Sequence, residues 1–232
     1  MKKRYWAFLI GSWCLSVGMQ AAKVDTLSVH SDAMNKEVQV ITICPDKAMA
    51  GEKCPVLYLL HGYGGNAGTW LGIKPELPQI ADKEGIIFVC PDGKNSWYWD
   101  SPLNKEYRYE TFVSKELVNY IDKNFTTKVE RGGRAITGLS MGGHGSLWLS
   151  IRHKDVFGGG GSMSGGLDIR PFPNNWEMKK QLGEEASNKQ RWDEHTVINQ
   201  LDKIKNGDLA VIIDCGLSLI HISEPTRQEA IS

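Results

Sequence analysis

Apolar residues gather in short runs, each closed by glycine or polar residues: VQVITIC (38–44), VLYLL (56–60), IIFVC (86–90), RAITG (134–138) and LAVIID (209–214). Their length and β-branched content predict buried strands. Helix-like stretches lie between them. In YETFVSKELVNYIDKNF (109–125), Val113, Leu117, Tyr120 and Ile121 fall at i, i+4, i+7 and i+8, which makes one apolar face. Strands alternating with helices predict the α/β class: a doubly wound, mostly parallel sheet with helices on both sides. The run GGGGSMSGG (158–166) has a linker's composition, but it stands where such a sheet needs another strand, and a strand is expected there. The polar stretch from Pro171 to Asn206 is expected to be helical and irregular by turns and to cap the sheet.

The first residues break this pattern. MKKR supplies positive charge, YWAFLIGSWCLSVGM an apolar run, and QAAK small residues suited to cleavage near Ala21 or Ala22. This is the make-up of an export signal, so residues 1–22 are set apart and 23–216 are read as the folded domain. The apolar run is shorter than the roughly 20 residues a spanning helix needs, and Trp13 before Cys14 is too bulky for a lipid-anchor cleavage box. A periplasmic or secreted protein without a stable membrane anchor is expected. Lysine plus arginine balances aspartate plus glutamate at 27 each, so no overall charge favours nucleic acid or an anionic membrane.

Cys44, Cys54, Cys90 and Cys215 remain after the export segment. An oxidising compartment permits disulfides among them, and buried free thiols fit the spacing equally. No cysteine or histidine spacing resembles a zinc site, and no metal or organic cofactor is implied.

The chemistry is concentrated in GLSMGGHG (138–145). Gly138, Ser140 and Gly142 fit the G-x-S-x-G nucleophile elbow, with the strand RAIT before it and the helix-compatible HGSLWLSIR after it. Such a turn lifts the serine above the sheet and aims helix N-terminal amides at a developing oxyanion. A second element, LYLLHGYGG (57–65), runs from a strand into a glycine-rich loop. Loops in that position donate the other oxyanion amide, which places the hole at the backbone N–H groups of Met141 and Tyr63.

Together with VCPDGKNSWYWDSP, YETFVSKELVNYID and SMSGG, these segments resemble, in order, the esterase branch of the α/β hydrolases over roughly residues 35–216. That branch includes feruloyl and acetylxylan esterases, S-formylglutathione hydrolases and mycolyltransferases. The resemblance implies an α/β-hydrolase fold, Ser140 as nucleophile, and Tyr63 and Met141 at the oxyanion hole. Trp97, Tyr98 and Trp99 correspond to a segment near the site; substrate contact and simple packing are both open to them.

A serine nucleophile needs a histidine, and the histidine a carboxylate, in the chain order serine, acid, histidine. His144 follows the elbow in the same helix and cannot reach back, His153 ends that helix, and His195 is expected at the surface. His221 follows Asp214, but here the resemblance breaks. LSLIHISEPTR (217–227) resembles the in-frame translation of a transposase adapter used in short-read sequencing. Residues 217–232 are therefore expected to be non-native, the authentic chain to be interrupted near Gly216, and the domain to be C-terminally truncated. On that reading His221 is not the base, Asp214 is a weak acid candidate, and the chain as it stands is expected to be inactive and to fold poorly.

The expected function of the intact parent is hydrolysis of carboxylic esters, on a small molecule or an acylated plant polysaccharide, through an acyl-enzyme at Ser140. Acyl transfer to an alcohol uses the same machinery. A non-catalytic carbohydrate-binding module of the same fold is the alternative from a different class.

Overall fold

The computed structural model describes residues 22–216. The segment read as an export signal, apart from its last residue Ala22, and the tail read as non-native, including His221, lie outside the described residues. Seven strands form one sheet: β1 (Lys23–Ser31), β2 (Lys36–Cys44), β3 (Val56–Leu60), β4 (Ile87–Pro91), β5 (Arg134–Gly138), β6 (Gly159–Met163) and β7 (Ala210–Asp214). Their order is β1-β2-β4-β3-β5-β6-β7. The pairings β1–β2 and β2–β4 are antiparallel and the remaining four are parallel, so the sheet is mostly parallel.

The strands read from apolar runs are present. β1 is an addition: an edge strand whose outer residues stay in water carries too little apolar content to stand out. In β3 and β4, alternate residues enter opposite cores. Val56, Tyr58, Leu60, Ile87 and Val89 face one side; Leu57, Leu59, Phe88 and Cys90 face the other. Burial on both faces is why these runs show no polar alternation. Helix α1 (Leu77–Glu84) covers the second face with Leu77 and Ala81. On the first lie α2, the helical segment 109–124 whose middle Phe112–Leu117 is a π-turn, and α3 (Met141–Arg152).

The glycine run is indeed strand β6. A Cβ on Gly160 would lie 2.2 Å from Ser150 Oγ of α3, so glycine lets the helix sit directly on the strand. Cys44, Cys54 and Cys90 are buried free thiols and Cys215 is an exposed one. Beyond β6, Val211, Ile212 and Ile213 of β7 are 44%, 75% and 50% exposed, an uncovered apolar strand among the described residues.

Glu110 joins α2 to α3. Its carboxylate accepts bonds from Trp148 Nε1 (2.9 Å), Arg152 Nε (2.8 Å) and His153 Nε2 (2.8 Å). Burial opposes ionisation, but the His153 and Arg152 bonds prevail and hold its pKa below the ordinary carboxylate value. Glu110→Ala would strand all three donors, and is expected to destabilise the fold by about 3 kcal/mol. Urea unfolding of both proteins at pH 7 checks this, and an unchanged midpoint would remove Glu110 from the scaffold.

Candidate active site

β5 ends at Gly138, α3 begins at Met141, and the chain must reverse between them in two residues. Ser140 makes the turn at φ 55° and ψ −114°, a conformation that costs a non-glycine residue roughly 1–3 kcal/mol. Backbone bonds hold it there: Ser140 N–H donates to Met163 O (2.8 Å), His144 N–H to Ser140 O (2.9 Å) and Gly142 N–H to Leu139 O (2.8 Å). Ser140 is exposed, and its hydroxyl has no hydrogen-bond partner among the described residues. Met141 is fully buried behind it.

The loop after β3 lies against this turn. A Cβ built on Gly62 would stand 3.2 Å from Leu139 O and 3.5 Å from Ser140 Cβ, so the Tyr63 amide follows directly beside the serine. Neither the Tyr63 nor the Met141 N–H donates to a protein acceptor among the described residues. Two N–H groups without protein acceptors thus adjoin the Ser140 turn, Met141 as the next residue and Tyr63 through Gly62. His61 braces the loop from beneath. Gly93 N–H donates to its Nε2 (2.9 Å), which leaves the ring proton on Nδ1 to donate to Gly62 O (2.7 Å). Tyr98 O–H donates to His61 O (3.2 Å).

The other described histidines are committed elsewhere. His144 accepts from Trp99 Nε1 (2.9 Å), donates through Nδ1 to Gly166 O (2.7 Å), and is wholly buried. His153 is bonded to Glu110, and His30 lies 2.9 Å from Glu37 on the β1–β2 hairpin. His195, expected at the surface, is half-buried: its ring stacks on Trp148 at 5.4 Å and its Nδ1 donates to Arg191 O (2.7 Å). None bonds Ser140.

Burial pushes the His144 pKa down to about 4, from 6.5. An unfolded chain therefore takes up a proton at this residue before the folded one does, and stability is lost as pH falls from about 6.5 towards 4. The span corresponds to about 3 kcal/mol. Denaturant midpoints measured between pH 7 and 4.5 should fall accordingly. A His144→Gln variant should lose that part of the slope, and an unaltered slope would place the acid sensitivity elsewhere.

Residues 31–231 match the family described as "Putative esterase". The chain belongs to this esterase family. An acetyl esterase of Caldicellulosiruptor saccharolyticus is 29% identical over 151 residues, 62% of this chain and 56% of the relative. An endo-1,4-beta-xylanase/feruloyl esterase of Xylanibacter ruminicola is 34% identical over 124 residues, 50% of this chain and 17% of the relative. A solved ferulic acid esterase superposes with a TM-score of 0.66 at 27% identity, over 84% of this chain and 78% of that one. The chain thus spans little more than half of the first curated relative, 56%, and far less of the second.

Within this chain, Trp97, Tyr98 and Trp99 are 3%, 0% and 0% exposed. Trp97 stacks on Trp99 at 5.5 Å, and Tyr98 fills the space a Cβ on Gly145 would need, 2.3 Å from its ring. Of the two readings left open for these rings, the structure shows packing: they support α3 and the His61 loop from inside. The brace of His61 and the polar contacts of Asn95 were missed in the sequence. A histidine directly after a strand that ends in a glycine loop was the one cue to His61. No sequence spacing ties Asn95 to Gly64, whose N–H donates to its Oδ1 at 2.9 Å. No group of three or more His, Cys, Asp or Glu side chains among the described residues could hold a metal ion.

Proposed function

We propose that this esterase hydrolyses carboxylic esters, with Ser140 as nucleophile and the N–H groups of Tyr63 and Met141 as the oxyanion hole. The observation that carries the reading is the exposed Ser140 at φ 55°, standing beside two amides without protein acceptors. Ser140 Oγ attacks the ester carbonyl carbon while a histidine takes its proton. The carbonyl oxygen becomes an oxyanion held by the two amides and by the positive end of α3, each donor contributing about 3 kcal/mol to the transition state. Collapse expels the alcohol, which receives the proton, and water then cleaves the acyl-enzyme by the same route.

Every described histidine is engaged away from Ser140, so the proposal leaves the base to a residue outside the described residues. Asp214, at the end of β7, is the acid candidate within the domain. The acyl group is proposed to be acetyl or feruloyl, in keeping with the relatives' names, and the ester to be extracellular, in keeping with the export segment. No helix of the described residues is long and apolar enough to cross a membrane.

A fluorophosphonate probe applied to the protein, followed by peptide mass mapping, tests the reading. Label on the peptide carrying Ser140 is expected. A protein that contains its histidine and stays unlabelled would favour a non-catalytic module. Sequencing the source DNA across the codon for Gly216 tests where the base comes from; a frame that truly continues as LSLIHISEPTR would make the tail native and leave His221 among the candidates.

A further inference from the structure

Tyr63 lies on the loop after β3, and the peptides on its two sides are pinned by different side chains. On one side, Gly62 O accepts from His61 Nδ1 (2.7 Å) and from Gly65 N–H (3.0 Å). The Gly62–Tyr63 peptide is planar and trans, so a carbonyl fixed in one direction aims the Tyr63 N–H in the opposite one. On the other side, Gly64 N–H donates to Asn95 Oδ1 (2.9 Å). Gly64 stands at φ 75° with nothing within 4 Å of where a Cβ would be, so no packing limits the turning of that peptide. The Asn95 bond is what holds it.

Asn95 sits on a firm turn. Asp92 Oδ1 accepts the Lys94 N–H (3.0 Å), Asp92 Oδ2 pairs with Lys94 Nζ (2.6 Å), and Ser96 N–H donates to Gly93 O (3.3 Å). Gly93 N–H of the same turn donates to His61 Nε2 (2.9 Å), so both pins on Tyr63 rest on residues 92–96.

The other end of the Asn95 amide reaches a segment far away in sequence. Its Nδ2 donates to the Glu177 carboxylate (3.5 Å), which also accepts from Lys180. Trp176 and Glu177 stand at φ 48° and 57°, a strained pair that persists only where its surroundings hold it, and Trp97 Nε1 donates to Trp176 O (3.2 Å). An uncharged amide accepts from an N–H and donates to a carboxylate at once. A carboxylate in its place could do only the first, and an ammonium only the second.

Resting on the esterase reading above, we propose that Asn95 is a positioning residue for ester hydrolysis, holding the Tyr63 amide in place through Gly64 and tying that loop to the segment at Glu177. Asn95 acts through the backbone, without touching the ester. With Gly64 N–H released to water, Tyr63 is pinned on one side alone, and its N–H meets the developing oxyanion less well than the Met141 N–H does. Such a loss falls on the transition state rather than on substrate binding, so kcat drops while KM stays.

Two variants of the full chain, Asn95→Ala and Asn95→Asp, separate the two bonds. Alanine removes both; aspartate keeps an acceptor for Gly64 and sets a second carboxylate against Glu177. By hydrogen–deuterium exchange, the peptide carrying Gly64 is expected to exchange about tenfold faster in Asn95→Ala and at the parent's rate in Asn95→Asp. The peptide carrying Glu177 should loosen in both. On 4-nitrophenyl acetate, kcat per fluorophosphonate-titrated serine is expected to fall about tenfold in Asn95→Ala, with KM changed less than about twofold, and to be largely restored in Asn95→Asp. A general loss of stability would lower the titratable fraction instead and leave kcat per site unmoved. Unchanged exchange at Gly64 in Asn95→Ala, an unchanged kcat, or an equal loss in both variants overturns the proposal. A chain that exchanges as expected but neither turns over nor labels defeats the hydrolase, and with it any role of Asn95 in catalysis, while upholding the tie between loop and segment.

Discussion

Ser140→Ala is expected to abolish fluorophosphonate labelling and to lower ester turnover about 10⁶-fold in the protein that carries its histidine. The size of the fall is informative because nucleophile and base act as one unit. With a base in place, removing the serine forfeits the whole covalent route and leaves only what the Tyr63 and Met141 amides and substrate binding supply, about 10³–10⁴ over water. Without a base, the starting enzyme is already at that residual level, and the same substitution changes turnover little. Measuring kcat for both proteins on a simple acetyl ester therefore reports two things at once. A large drop makes Ser140 the nucleophile and shows that some histidine reaches it. A drop below about tenfold would mean that no base serves Ser140, in agreement with the commitments of His30, His61, His144, His153 and His195.

The parts of this molecule that the sequence made legible are those whose physics is local. β3 and β4 are buried on both faces, so continuous apolar runs mark them, and the Ser140 turn needs small residues at fixed offsets, so GLSMG marks it. β1 was not legible: an exposed edge strand is stabilised by pairing with β2 along its whole length rather than by its own composition. Long-range contacts were equally hidden. Nothing near Trp97–Trp99 says whether three aromatic residues face substrate or core; that is decided by Gly145 on α3, whose missing side chain makes room for Tyr98. His195 was misplaced for the same reason. Its flanking residues are polar, but the slot that receives its ring is built by Trp148 and Trp99 from other elements. Trp176 and Glu177 reach Trp97 and Asn95 only through the fold, and no spacing announces it.

Gly142→Ala is the second substitution with a large expected effect, and it acts on both halves of the site together. In the first turn of a helix, alanine for glycine would ordinarily gain about 1 kcal/mol. At this position the added Cβ would stand 2.2 Å from Leu60 O and 2.7 Å from His61 O, both backbone atoms at the end of β3. Neither can swing aside as a side chain would. Leu60 O accepts the Leu139 N–H, and His61 O accepts from Tyr98, so relief must come from α3 backing away from β3. Overpacking of this kind costs about 3 kcal/mol, which outweighs the gain in propensity. A displacement of about 1 Å also separates the Met141 amide from the Tyr63 amide, and a misplacement of that size lowers turnover roughly 100-fold. Gly72 provides the internal comparison, since it too is helical but a Cβ there meets nothing within 4 Å. Gly72→Ala should therefore be neutral or slightly stabilising and should label at the parent's rate. Urea midpoints and fluorophosphonate labelling rates for the two variants decide the matter: if Gly142→Ala matches Gly72→Ala in both, α3 is not seated on the end of β3, and the oxyanion hole cannot be assembled from these two loops.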